Sequence, residues 1–323
     1  MKRHYLFLLI ITYLFTTSGF NPFFTSSKRI WKGKNYASFT SLVDYNGYLY
    51  CAFREANYHA DPSGKDNGVI RVIRSKNGIV WKLFKTYEQK GIDLRDPKLS
   101  ITPDGEMMLL TEAVKYQDGE TLARQSQVSF INQKGKSTEL MSIRIKPEIP
   151  YNWLWDLGWG KRYGYGFTYV PGFNLLVTEN GIDYEVKYSK QFDDRATETT
   201  VAVSDDQRLF AVIRNEESSH LGFSSEVNPE KWAWTKMEKL GCPKLLFTDG
   251  ELFLVAKKYK PDPKTVLYII NTEDGSFKEV ASFPSARDFS YPGIVKRGNT
   301  FFISYYLGDG TNSSVYLAKV KYH

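Results

Sequence analysis

The stretch SLVDYNGYLYCAF, Ser41–Phe53, reads as two apolar strands that meet at Asn46-Gly47. An Asn-Gly pair between apolar runs is a strong short-range signal for a β-hairpin. GVIRVIRS (Gly68–Ser75) and KNGIVW (Lys76–Trp81) follow as a third strand and a further turn. Polar turns of the same kind recur in TPDGEMMLL (Thr102–Leu110), WGKRYGYGF (Trp159–Phe167), VSDDQRLFAVI (Val203–Ile213), FTDGELFLVA (Phe247–Ala256) and VKRGNTFFISYY (Val295–Tyr306). Six copies of one strand–turn–strand unit, spaced by roughly 45–60 residues, predict an all-β, six-bladed β-propeller. A propeller of this kind places its ligand site at one mouth of the central channel.

The N-terminus carries Lys2, Arg3 and His4, an apolar run from Tyr5 to Phe15, and small or polar residues to Gly19. That order is the plan of a secretory signal peptide, and the run is short for a membrane span. Residues 1–20 are therefore expected to be removed, leaving 21–323 as a single propeller domain, secreted or periplasmic. No Cys follows the apolar run, so a lipid anchor is not expected, nor is stable membrane insertion after cleavage.

The formal charge of +7 becomes about +5 without Lys2 and Arg3, and no run of five or more basic residues occurs, which argues against nucleic acid as a partner. Cys51 and Cys242 stand in repeats one and five, and two buried free thiols are expected in place of a disulfide. Without CxxC, HExxH or clustered His, no metal site and no cofactor are expected. The chain is expected to act as a monomer. Apolar segments of four to eight residues dominate, and no amphipathic helix longer than ten residues is legible. KRIWKG (Lys28–Gly33) precedes the first repeat and is placed to supply the outer strand that closes the ring with the last blade.

SKNGIVW (Ser75, Asn77, Gly78, Trp81) resembles the Asp-box turn of sialidase-like propellers, with Asn in place of Asp. TENGIDYEV (Thr178–Val186) and NTEDGSFKEV (Asn271–Val280) are weaker copies, and all three read as tight turns with a packed aromatic. Together with FTSL (Phe39–Leu42), CAFREANYH (Cys51–His59), DLRDPKLS (Asp93–Ser100), WLW (Trp153–Trp155), ETT (Glu198–Thr200) and SYPG (Ser290–Gly293), these turns make almost the whole mature chain similar to the sialidase superfamily. More narrowly, it resembles the bacterial exo-sialidase-like subgroup with a degenerate arginine triad.

That resemblance implies an arginine triad on the sugar carboxylate, a Tyr nucleophile partnered by a Glu, and an Asp acid/base. Tyr291 falls where the family places the nucleophile, and Glu198 where it places the partner base. Arg214 corresponds to the second arginine. The third arginine's place is held by Lys257 or Lys258, and Ser38 stands where the first would be. Lysine keeps the charge but not the bidentate fork. His59 and Asp61, with Asp66 as a further choice, lie in the loop that carries the family's acid/base. Arg54, Arg95 and Asp96 are candidates for holding substrate, and Trp155 and Trp159 for stacking on a sugar ring. Each also has a plainer reading: packing for the tyrosine and tryptophans, ion pairing for Glu198–Arg214 and Arg95–Asp96, turn formation for Asp61 and Asp66.

Three functions fit this pattern. The first is an exported exo-acting glycoside hydrolase acting on a terminal anionic sugar of a glycan. The second is a uronate-type polysaccharide lyase, with His59 or Tyr291 taking a proton beside arginines that neutralise the carboxylate. The third is a non-catalytic glycan-binding propeller.

Overall fold

In the computed structural model, Asn46 and Gly47 both adopt positive φ, 48° and 76°. This is the two-residue turn whose twist matches that of the strands it joins. It connects Tyr36–Tyr45 to Tyr48–Ala56, and Val69–Ser75 and Lys82–Tyr87 extend the sheet outward. The inner strand is buried at nearly every position and the outer one mostly is not. That gradient is expected of a sheet set radially, with its first strand against the channel and its last toward solvent. The structure describes residues 23–33, 35–169, 172–225 and 228–322, and the expected signal peptide lies outside them.

The same meander repeats. A second sheet holds Asp93–Ile101, Met107–Gln117, Glu120–Ile131 and Met141–Ser142. A third holds Gly158–Trp159, Gly164–Thr168, Asn174–Thr178 and Asp183–Ser189, with Arg144–Lys146 added in parallel on its outer edge. A fourth holds Ala196–Val203, Leu209–Asn215, Ser219–Ser225 and Asn228–Met237, and a fifth Leu240–Thr248, Glu251–Lys258, Lys264–Ile270 and Phe277–Phe283. The last meander is Asp288–Arg297, Thr300–Gly308 and Ser313–Lys321. Phe23–Lys32 pairs antiparallel to its outer strand, so the N-terminal segment completes the final sheet.

The fold is all-β in a propeller arrangement, with no helix among the described residues. Hydrogen bonding divides it into five sheets, not the six expected from the repeats. A parallel pairing of Tyr36 with Ser313 joins the first and last meanders into one eight-stranded sheet. Apolar clusters fill the spaces between consecutive meanders. Ile70, Val72, Leu94 and Leu109 pack first against second, Phe253, Val255, Ile303 and Val320 fifth against last, and Leu42, Phe53, Val295 and Leu317 last against first. Gly293 is required at the last of these contacts, because a Cβ there would run into the backbone nitrogen of Leu42.

The turn Ser75–Trp81 is held by its own side chains. Ser75 Oγ accepts from the Gly78 amide at 2.9 Å, and Asn77 Oδ1 accepts from Ile79 at 2.9 Å. Thr178 and Asn180 repeat both bonds to Gly181 and Ile182, with Tyr184 packed beneath. In the third copy, Asn271 accepts from Glu273 and Asp274 from Ser276, a related but different turn. Cys51 and Cys242 are separate buried thiols, each pushed well up by burial.

Candidate active site

Five inner strands are bulged at the same end. The ladder skips between Ser38 and Ser41, Arg95 and Lys98, Ala196 and Thr199, Gly241 and Lys244, and Ser290 and Gly293. A bulge leaves extra residues unpaired and re-aims their side chains, and bulges concentrate beside active sites. Phe39 (φ 59°), Asp96 (46°), Cys242 (53°) and Tyr291 (47°), with Ser290 (98°), hold left-handed conformations in these bulges. Each such non-glycine residue costs about 1–3 kcal/mol of strain. Pro97, Pro243 and Pro292 follow three of them, and a bulge is a place where the N–H that proline lacks is not missed.

The bulges of the fourth, fifth and last meanders build one hydrogen-bonded group. Tyr291 donates its phenol proton to Glu198 Oε1 at 2.7 Å, and Arg214 Nη1 donates to the same oxygen at 2.7 Å. Glu198 Oε2 accepts from the Cys242 amide at 2.7 Å. Burial, then the charge of Glu198, pushes the Tyr291 phenol well above its ordinary range, so it rests protonated beside its acceptor. Burial works against the charge of Arg214, and Glu198 outweighs it. Three of the sequence candidates, Tyr291, Glu198 and Arg214, thus meet in one cluster.

Arg54 is placed differently. It is fully buried, paired to Asp93 through Nε and Nη2 at 2.8 Å, and capped by the Tyr58 carbonyl. Asp93 also takes Arg95 at 3.0 Å and the Gly68 amide. Arg95, 6% exposed, lies 5.3 Å from the Phe39 ring centre and donates to the His59 carbonyl. Phe39 connects the two halves of the mouth, with ring centres 4.8 Å from Tyr291 and 5.1 Å from His59. The His59 side chain is half exposed, with Nδ1 3.1 Å from the Tyr36 hydroxyl and 3.6 Å from Asp288 Oδ2. Burial and the arginines Arg95 and Arg54 lower its pKa to about 4.

Asp61 accepts from the Ser63 and Asp66 amides, and hydrogen bonding, from the Ser63 side chain first and then from the turn backbone, holds its carboxyl below the ordinary range. Asp66 accepts from the backbone of Asn57 and Tyr58. Asp96 is buried beside Arg95, and burial raises its carboxyl to about 6. Trp155 is 2% exposed and lies 5.8 Å from the Tyr291 ring, with Lys98 Nζ 4.2 Å from its own ring centre, so it floors the mouth. Lys257 rests on Phe289 at 4.2 Å. Lys258 turns to Glu279 on the outer strand, and Trp159 donates to Ser100 between the second and third sheets. A cavity of about 780 Å³ lies beside Arg144, Tyr163, Tyr165 and Lys187, and none of these candidates lines it.

Sequence reasoning missed Lys98, Phe39 as the hub, and Asp288 with Tyr306. Tyr306 donates to Asp288 Oδ1 at 2.9 Å. The available signals were the X-Pro pair shared by RDPKLS, GCPKLL and SYPGIV, and an acid three residues before Tyr291.

No protein-family model matches the sequence, and no curated protein matches it. Solved structures do. A protein of unknown function from Dyadobacter fermentans superposes with a TM-score of 0.80 at 17% identity, over 94% of this chain and all of that one. Trypanosoma rangeli sialidase bound to the inhibitor DANA gives 0.68 at 9% identity over 88% of this chain, which spans 55% of that larger protein. The α-L-arabinofuranosidase of Fusarium graminearum with arabinobiose gives 0.66 at 14% identity, over 93% of this chain and 98% of that one. The chain has the sialidase-like propeller fold shared by these glycoside hydrolases.

Proposed function

We propose that the protein is an exported, exo-acting glycoside hydrolase, a six-bladed propeller when the eight-stranded sheet is counted as two blades, that removes a terminal anionic sugar from a glycan. The observation that carries this reading is Glu198 accepting at 2.7 Å from both the Tyr291 phenol and Arg214. A nucleophile must sit within hydrogen-bond reach of a base that a third group orients. Tyr291 attacks the anomeric carbon as its proton passes to Glu198, and Arg214 steadies the carboxylate. A neutral phenol avoids the repulsion a carboxylate nucleophile meets from an anionic sugar.

The mouth suits a polar ligand held end-on. Trp155 and Phe39 close its floor, and Trp155 Nε1, Arg95 Nε, Asp96 Oδ1 and Ser290 Oγ are buried polar atoms without hydrogen-bond partners among the described residues. Arg95, Lys98, Arg214 and Lys257 gather positive charge around it. The sialidase and arabinofuranosidase neighbours act on sugars in the same fold, which supports a glycan as the substrate.

The test is release of terminal sugars from a panel of sialosides, uronides and neutral glycosides by the mature protein. Tyr291→Phe is expected to lower turnover by roughly 10³-fold or more, as loss of a nucleophile does. Full activity in that variant overturns the assignment. One observation favours the lyase as a second reading: His59 is neutral at pH 7 and lies near Arg95, a base beside a cation. An unsaturated, ultraviolet-absorbing product in the same assay identifies it.

A further inference from the structure

Hydrolysis through Tyr291 requires a proton donor for the leaving oxygen, and the two leading candidates from sequence position, Asp61 and His59, are poorly suited. Asp61 spends its oxygens on backbone amides and is held ionised by its turn. His59 is neutral at pH 7, and a neutral imidazole is too weak an acid to protonate the leaving oxygen.

Asp288 begins the inner strand that carries Tyr291, and two aromatic rings tie the two residues together. Tyr306, whose hydroxyl donates to Asp288 Oδ1 at 2.9 Å, has its ring 6.0 Å from that of Tyr291. Phe39 spans from Tyr291 to His59, and His59 Nδ1 is 3.6 Å from Asp288 Oδ2. The Asp288 side chain is 27% exposed, so it is open to a ligand yet shielded from bulk water.

We propose that Asp288 is the general acid/base of this site, with Tyr306 and His59 orienting its carboxyl; the assignment rests on the hydrolase reading above. In the first step the Asp288 proton moves to the glycosidic oxygen as its bond to the anomeric carbon breaks. The Tyr291 oxygen bonds to that carbon, and the phenol proton goes to Glu198. In the second step Asp288 takes a proton from water, and the water oxygen displaces Tyr291. Glu198 then returns the proton to the phenolate. The net reaction consumes one water and releases the sugar and an alcohol. Burial, offset in part by the Tyr306 hydrogen bond, lifts the Asp288 carboxyl above its ordinary range, the direction an acid requires.

The experiment compares wild type with Asp288→Asn on a natural glycan and on a nitrophenyl glycoside of the same sugar, with and without azide. The expected result is a loss of about 10²–10⁴-fold on the natural glycan, the usual contribution of a general acid. On the activated glycoside the first step no longer needs the acid, and azide restores turnover by giving the glycosyl azide. Equal losses on both substrates without azide rescue, or full activity on the natural glycan, overturn the assignment while leaving the hydrolase reading intact. A wild type that releases no sugar from either substrate overturns both. Tyr306→Phe provides a second measure: it is expected to lower activity on the natural glycan more than on the activated one, and a uniform loss counts against the assignment.

Discussion

Two arginine–carboxylate pairs stand at the bulged ends of the inner sheets, and burial separates them. Arg54–Asp93 has both side chains at 0% exposure, whereas Arg214–Glu198 has 30% and 7%. In sequence the two arginines look alike, each near the end of a second strand. The buried pair spends its hydrogen bonds on Gly68, Tyr58 and Arg95 and ties the first meander to the second. In the open pair the Glu198 oxygen that takes Arg214 also accepts from the Tyr291 phenol. A charge pair sealed from water holds a fold together, and one left ajar at a mouth is available for chemistry.

Exchanging each arginine for methionine is the largest way to break this comparison. Arg54→Met leaves the buried Asp93 with only Arg95 and the Gly68 amide and is expected to cost about 3 kcal/mol of stability. Arg214→Met sits where solvent screens the loss, and about 1 kcal/mol or less is expected, together with a fall in kcat/KM. Denaturant unfolding beside a sugar-release assay reads both. Equal destabilisation by the two substitutions removes the distinction.

A smaller effect concerns His59, which lies between the two pairs. Its folded pKa of about 4 is below the ordinary value of roughly 6.5, so the unfolded chain holds the proton more tightly. This group's contribution to stability is therefore complete above about pH 6.5 and is lost as the pH falls toward 4. Ring resonances followed by NMR are expected to titrate near pH 4, and a midpoint at or above 6.5 places His59 outside the influence of Arg95 and Arg54.

The smallest effect lies far from the mouth. Ser75→Ala removes the acceptor of the Gly78 amide and is expected to cost about 1 kcal/mol, as loss of a capping hydroxyl does, with turnover unchanged. A fall in turnover would tie these outer turns to the site.

Much of this was legible because turn chemistry is local. Asn46-Gly47 and its later counterparts mark hairpins through the φ values they tolerate, and the alternation of apolar residues around them sets each strand. Tyr291, Glu198 and Arg214 were singled out through the family resemblance, and their meeting in one cluster is what the structure adds. The placements of Phe39 and Asp288 were not legible, because each meets a ring from another meander, Tyr291 for Phe39 and His59 for Asp288. Position in the loop likewise says nothing about which amides the Asp61 oxygens meet.

The amino-acid sequence by itself determined the repeating hairpins, the all-β class and the strand that completes the last sheet, since each depends on residues close together in the chain. Tertiary structure alone decided that the first and last meanders share one sheet, that Arg54 is sealed while Arg214 is open, and that Asp288 faces His59. Burial and hydrogen-bond partners at a channel mouth are set by several strands converging from distant parts of the chain, and no local pattern encodes that convergence.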